Sequence, residues 1–115
     1  MRITRIAAFL LLFLWPGNLF AEKLLTVFTA NWCGPCQQFK QDILKDPGIT
    51  AQYKVELIDI DTHENLVQDK KIKVFPTFII SEYQDDKEVE ISRMTGYGRA
   101  ELPGWLKKHR DKPKH

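Results

Sequence analysis

Asn31-Trp32-Cys33-Gly34-Pro35-Cys36 contains both cysteines of this 115-residue chain. The segment lies where an apolar stretch gives way to helical periodicity, so Cys33 is expected at the start of a helix. Unpaired backbone N–H groups and the positive end of the helix dipole stabilise a thiolate there, and the thiolate is the nucleophilic form of sulfur. Cys36 falls one turn later on the same face, near enough for a disulfide and shielded by the helix. The order assigns roles: Cys33, exposed and activated, attacks a disulfide, and Cys36 resolves the mixed disulfide. Gly34 lets another protein's backbone approach. Pro35 takes a first-turn position, where a missing N–H does little harm. A zinc site competes poorly, because two thiols do not complete one and His63, His109 and His115 are scattered. A merely structural disulfide is the other alternative, but so short a loop constrains little chain entropy. Redox chemistry is the reading, with no metal and no cofactor.

The flanking sequence must position this pair. Leu24 to Thr29 is apolar and β-branched, a buried strand. Phe39, Ile43 and Leu44 recur at helical spacing, and Asp46-Pro47-Gly48 stops that helix. Val55 to Ile60 reads as a second strand. Asp61 and Thr62 offer cap oxygens, with Glu64 three places after Asp61, for a short helix to about Lys70. Thr77 to Ser81 is a third strand, Gln84 to Lys87 a hairpin turn, and Glu88 to Met94 a fourth strand. Leu102, Trp105, Leu106 and His109 form the apolar side of a last helix with Pro103 in its first turn. The order β-α-β-α-β-β-α predicts an α/β fold: a four-stranded mixed sheet whose first two strands are parallel, with helices on both faces.

Arg2 and Arg5 precede an unbroken apolar run, Ile6 to Trp15, ended by Pro16-Gly17 and followed by Ala21. This is the pattern of a secretory signal peptide over residues 1–21, and its ten apolar residues span about 15 Å as a helix, half a bilayer core. Leu19 is large for a cleavage site, so an uncleaved membrane anchor is the alternative. The expected domain is then 22–110, with a basic tail at 111–115. With no lipoprotein cysteine, no retention signal and no glycosylation sequon, a bacterial periplasm is the expected compartment. Beyond residue 21 the chain carries 15 basic and 15 acidic side chains, so nothing in its charge calls for nucleic acid.

With these residues in place, the sequence resembles the thioredoxin superfamily. Trp32-Cys33-Gly34-Pro35-Cys36 is similar to that family's active-site motif, and Val74-Phe75-Pro76-Thr77 to its cis-proline loop. The resemblance implies a minimal thioredoxin fold over Leu24 to His109. It further implies a cis Pro76 against the sulfurs, a Phe75 backbone that pairs with a substrate strand, and a groove flanked by Trp32 and Gly96. Val27 and Leu57 stand where cytosolic members carry a buried Asp and its Lys partner. The proton of Cys36 must then go to water, or to a group such as Glu56 or Asp59. In shortness, secretion and the Asp46-Pro47 helix exit, the chain is more similar to the C-terminal domain of the membrane electron conductor DsbD.

The implied function is a secreted, monomeric protein-disulfide reductase that acts on disulfide-bearing proteins and draws electrons from a membrane donor of DsbD type. The Gly-Pro dipeptide resembles the reducing members. The alternatives are a disulfide oxidase or isomerase, and a non-catalytic binding module.

Overall fold

Strand β1 (Lys23–Thr29) runs through the interior of a four-stranded sheet in the computed structural model, which describes residues 23–111. Its side chains are apolar almost without interruption because both of its faces are covered. β2 (Tyr53–Asp59) lies parallel to it on one side, with Val27 opposite Leu57. β3 (Thr77–Gln84) lies antiparallel on the other side, with Val27 opposite Phe78. β4 (Lys87–Thr95) completes the sheet order β2-β1-β3-β4. Helix α1 (Gly34–Lys45) makes the crossover between the parallel pair, and a single 3-10 turn (Pro47–Thr50) follows at the expected Asp46-Pro47 exit. This is the predicted fold class and element order.

The two faces are packed differently. α1 and α3 (Leu102–Arg110) share one face, where Phe39, Leu102 and Leu106 meet Leu25, Val27, Tyr53, Phe78 and Ile80. Phe39 and Phe78 cross edge to face at 4.9 Å between centroids, and Tyr97 packs against Phe39 at 5.6 Å. Burying such a ring is worth roughly 1.5–3 kcal/mol, so these aromatic contacts anchor α1 on the sheet. On the other face, Leu66 and Val67 of α2 (Glu64–Asp69) pack against Phe28, Ile58, Ile72 and Ile79, a cluster that includes both sulfur-bearing residues.

Three boundaries differ from the sequence expectation. β2 begins at Tyr53, two residues early, because Tyr53 is buried and its hydroxyl donates to the Leu106 carbonyl at 2.6 Å. β3 continues to Gln84, and the hairpin then turns on Asp85 and Asp86 at φ 51° and 64°. Two consecutive positive φ values match the right-handed twist of the strands they join. The Asp61-Glu64 capping box does not form. His63 is the N-cap of α2 and supplies no side-chain cap bond. The signal segment lies outside the described residues, as does the tail beyond Asp111.

Asp42 is a charged side chain buried on α1. Asp42 accepts from Arg99 through Nε at 2.9 Å and Nη2 at 2.7 Å, from Gln38 at 2.9 Å, and from the Tyr97 hydroxyl. The Arg99 guanidinium, then the Tyr97 hydroxyl, holds its carboxyl well below the usual carboxylate range. A depressed folded-state pKa adds stability above the unfolded value of about 3.9 and loses it as pH falls below that value. Asp42→Asn should therefore unfold at lower denaturant concentration than wild type at pH 7, with the gap narrowing from about pH 4 towards pH 2. A gap that stays constant across that range in denaturant titrations would assign the loss to packing.

Candidate active site

The end of β1 delivers the reactive pair. After Ala30 the chain turns: the Cys33 N–H donates to the Ala30 carbonyl at 3.2 Å, and Gln37 Nε2 reaches back to the same carbonyl at 2.9 Å. Cys33 is the N-cap of α1 in an extended conformation, and its Sγ accepts from the Cys36 N–H at 3.3 Å. Sulfur here takes the part that Ser or Asp oxygens play at other helix starts, and the N–H that holds it would stabilise a thiolate. Cys33 and Cys36 are joined in a disulfide, with Cα atoms 5.2 Å apart. The domain is in its oxidised form.

The expectation of an exposed Cys33 is corrected. Cys33 is 6% accessible and Cys36 is not accessible at all. Cys33 is still the more open of the two, but both sulfur-bearing residues belong to the α2-side core with Phe28, Ala30, Ile60 and Ile72. Exposure belongs instead to the neighbouring residues. Gly34 and Pro35 lie on the surface, and the space where a Gly34 side chain would project is empty. Trp32 is 65% exposed. Its ring meets Phe75 edge to face at 5.9 Å, and its indole N–H donates to Asp61 at 3.1 Å.

The segment before β3 packs against Trp32 through Phe75. The Phe75-Pro76 peptide is cis, as expected, and Pro76 is fully buried. The Thr77 hydroxyl donates to the Val74 carbonyl and closes this turn. Gly96, at φ 76°, donates its N–H to the Pro76 carbonyl at 2.7 Å. The structure thus ties the Gly96 loop directly to the proline loop, and Trp32, with Phe75, to the cysteine end of α1. Val74 adds an exposed apolar side chain beside Phe75.

Val27 stands where the family resemblance implies a buried acid for proton handling. Val27 is completely buried and Leu57, opposite it in the register, is half exposed. The Asp59 carboxylate accepts from the Asp61 N–H at 2.9 Å, while Glu56 lines a small cavity on the α2 face with Ile58, Leu66 and Lys70. His63 is occupied within its own turn by the Asp59 carbonyl and the Thr62 hydroxyl. Among the described residues, no three His, Cys, Asp or Glu side chains gather where they could hold a metal ion.

Two groups escaped sequence reasoning. Asp61 reads locally as a helix cap, and only the fold shows it as the acceptor that orients Trp32, 29 residues away. Asp42 reads as one more polar residue on a helix, and its partners Tyr97 and Arg99 lie 55 and 57 residues later.

Comparison with known proteins agrees with this geometry. The thioredoxin family model matches residues 18–108. Thioredoxin H-type 1 of Nicotiana tabacum is 34% identical over 90 residues, covering 76% of this chain and 68% of that protein. The chloroplastic thioredoxin Y1 of Arabidopsis thaliana is 37% identical over 61 residues, 51% of this chain and 35% of its own length. A crystal structure of a poplar thioredoxin h superposes with a TM-score of 0.67 at 25% identity, covering 81% of this chain and 80% of that one. A thioredoxin from Thermus thermophilus does so with a TM-score of 0.65 at 26% identity, covering 76% of this chain and 73% of that one. The chain belongs to the thioredoxin family, and its Cys33–Cys36 pair is a thiol–disulfide oxidoreductase centre.

Proposed function

We propose that this chain is a secreted, periplasmic protein-disulfide reductase in which Cys33 is the nucleophile and Cys36 the resolving thiol. The observation that carries the catalytic roles is the position of the pair. Cys33 caps α1 with its sulfur on a backbone N–H, and Cys36 is sealed behind it. The secreted location rests on the charged and apolar pattern of residues 1–21.

In the reduced domain, the Cys33 thiolate attacks one sulfur of a substrate disulfide. That bond breaks, the departing substrate thiolate takes up a proton, and a mixed disulfide remains on Cys33. Cys36 loses its proton and attacks Cys33 Sγ, forming the Cys33–Cys36 disulfide and releasing the second substrate thiolate, which is protonated in turn. The substrate gains two electrons from the domain and two protons, one matched by the proton lost from Cys36 and one taken from solvent. Trp32, Val74 and Phe75 supply an apolar floor for the substrate. The Phe75 backbone pairs with its strand next to Pro76, and Gly34, Pro35 and Gly96 leave room for the chain on either side. The oxidised domain needs two electrons per cycle, and a membrane conductor of DsbD type is the donor that suits a periplasmic location.

Cys36→Ser should accumulate substrate covalently on Cys33, and Cys33→Ser should capture none. Equal capture by Cys36, read by mass spectrometry of non-reduced adducts, would reverse the roles. The Cys33–Cys36 couple should equilibrate near or below about −250 mV in thiol–disulfide buffers, in the range of thioredoxin. A value between about −120 and −180 mV would make the domain an oxidant or isomerase. Since Val27 leaves water as proton acceptor, Val27→Asp should speed resolution of the mixed disulfide by about tenfold or more, general-base assistance being worth about 10²–10⁴. An unchanged rate in single-turnover measurements would mean that deprotonation of Cys36 is not limiting.

A further inference from the structure

We propose that the Asp42 carboxylate is a positioning residue for protein substrates: it clamps the Gly96–Arg99 loop to α1, so that the wall of the substrate groove and the reactive sulfurs share one rigid reference. The inference rests on the reductase reading above and assigns a source of selectivity to the same site.

The loop leaves β4 at Thr95 and enters α3 at Leu102. Its first residue, Gly96, bonds the Pro76 carbonyl at 2.7 Å and so is tied to the proline loop that the reductase reading places against the substrate. The next residue, Tyr97, turns its ring into the aromatic core against Phe39 and Phe78. Its hydroxyl donates to Asp42, and Arg99 grips both oxygens of the same carboxylate. Gly98 then accepts from the Leu102 N–H at 2.9 Å, which joins the loop to α3. Asp42 stands on α1 six residues after Cys36, so one helix carries both the sulfur and the clamp.

The clamp is well determined. An ionised carboxylate offers about four acceptor sites, and Asp42 has four donor bonds: two from Arg99, one from Tyr97 and one from Gln38. Two parallel N–H···O bonds from a planar guanidinium fix orientation as well as distance. The Arg99 side chain is 67% exposed, so without the carboxylate nothing apolar would hold it in place. The loop would then keep the Tyr97 ring contacts and the Gly96 bond but lose its polar attachment to α1. A small disulfide needs only a path to Cys33 Sγ. A protein disulfide must also seat its flanking chain between the proline loop and Gly96. Loosening the clamp should therefore weaken protein substrates selectively.

The test compares wild type with Tyr97→Phe, Arg99→Met and Arg99→Lys, using insulin and a small aromatic disulfide, with dithiothreitol as electron source. KM for insulin should rise about tenfold in Arg99→Met while kcat and the rate with the small disulfide stay within about twofold. Arg99→Lys should fall between, because an ammonium cannot reproduce the two-pronged grip. Tyr97→Phe keeps the ring contacts and should show a smaller rise in KM. Exchange of the Gly96 amide hydrogen should accelerate in the same order. Equal losses on both substrates, an unchanged insulin KM or an unchanged Gly96 exchange rate would overturn the proposal. Failure of the reductase reading would look different: wild type would reduce neither disulfide, and the selectivity claim would fall with it.

Discussion

The joint between β1 and α1 constrains the rest of the domain. β1 is covered on both faces, so its end cannot move without disturbing both hydrophobic clusters. Within four residues of that end the chain must cap a helix, and the capping atom is the Cys33 sulfur. Reactivity and packing are thus the same contacts. Cys33 and Cys36 sit in a core cluster with Phe28, Ile58 and Ile79, while the neighbouring Gly34 has open space and Trp32 lies exposed against Phe75. The cost of the arrangement is that a change in the cluster beneath the sulfurs acts on fold and chemistry together.

The division of labour between the two sheet faces follows from this joint. The α2 face holds the sulfurs among aliphatic side chains and contributes the Ile60–Ile72 rim below them. The α1–α3 face carries the aromatic contacts of Phe39, Phe78 and Tyr97 and the buried Asp42 network. The Gly96 N–H bond to the Pro76 carbonyl joins the loop anchored on the aromatic face to the segment of Phe75, which packs against the sulfur-bearing cluster. Three segments distant in sequence are each held by a different kind of contact: a helix cap at Cys33, a closed turn at Thr77 and a charged clamp at Asp42.

What sequence reasoning could reach depended on the range of the interaction. The cysteine pair, the helix behind it, the cis Pro76 and the element order rest on local patterns or on a familiar spacing, and the structure reproduces them. Local reasoning failed where two readings of one residue competed. Asp61 has the right neighbours for a cap, yet its carboxylate is taken by the Trp32 indole, so α2 begins at Glu64 behind His63. The accessibility of Cys33 depends on Ile60, Ile72 and Phe75, which converge on it from separate segments, and no spacing within the motif reports that. The Asp42–Arg99 pair was illegible for the same reason. Charged residues at helix positions are usually solvated, and only the return of the chain between β4 and α3 buries this one.

The placement of Asp42 also bears on how protons move. A carboxyl held far below its usual range by a guanidinium is a weak base, and it would take little part in accepting the Cys36 proton even if it were near. At the strand position where the family resemblance implies a buried acid, the chain has Val27, opposite Leu57. An unpaired buried carboxylate there would carry a desolvation penalty and a raised pKa, which is what makes such a group a useful base. The chain thus separates two tasks that a single buried acid could combine. Asp42 is paired, held ionised and placed where it can position a loop, while Val27 adds packing in the centre of the sheet.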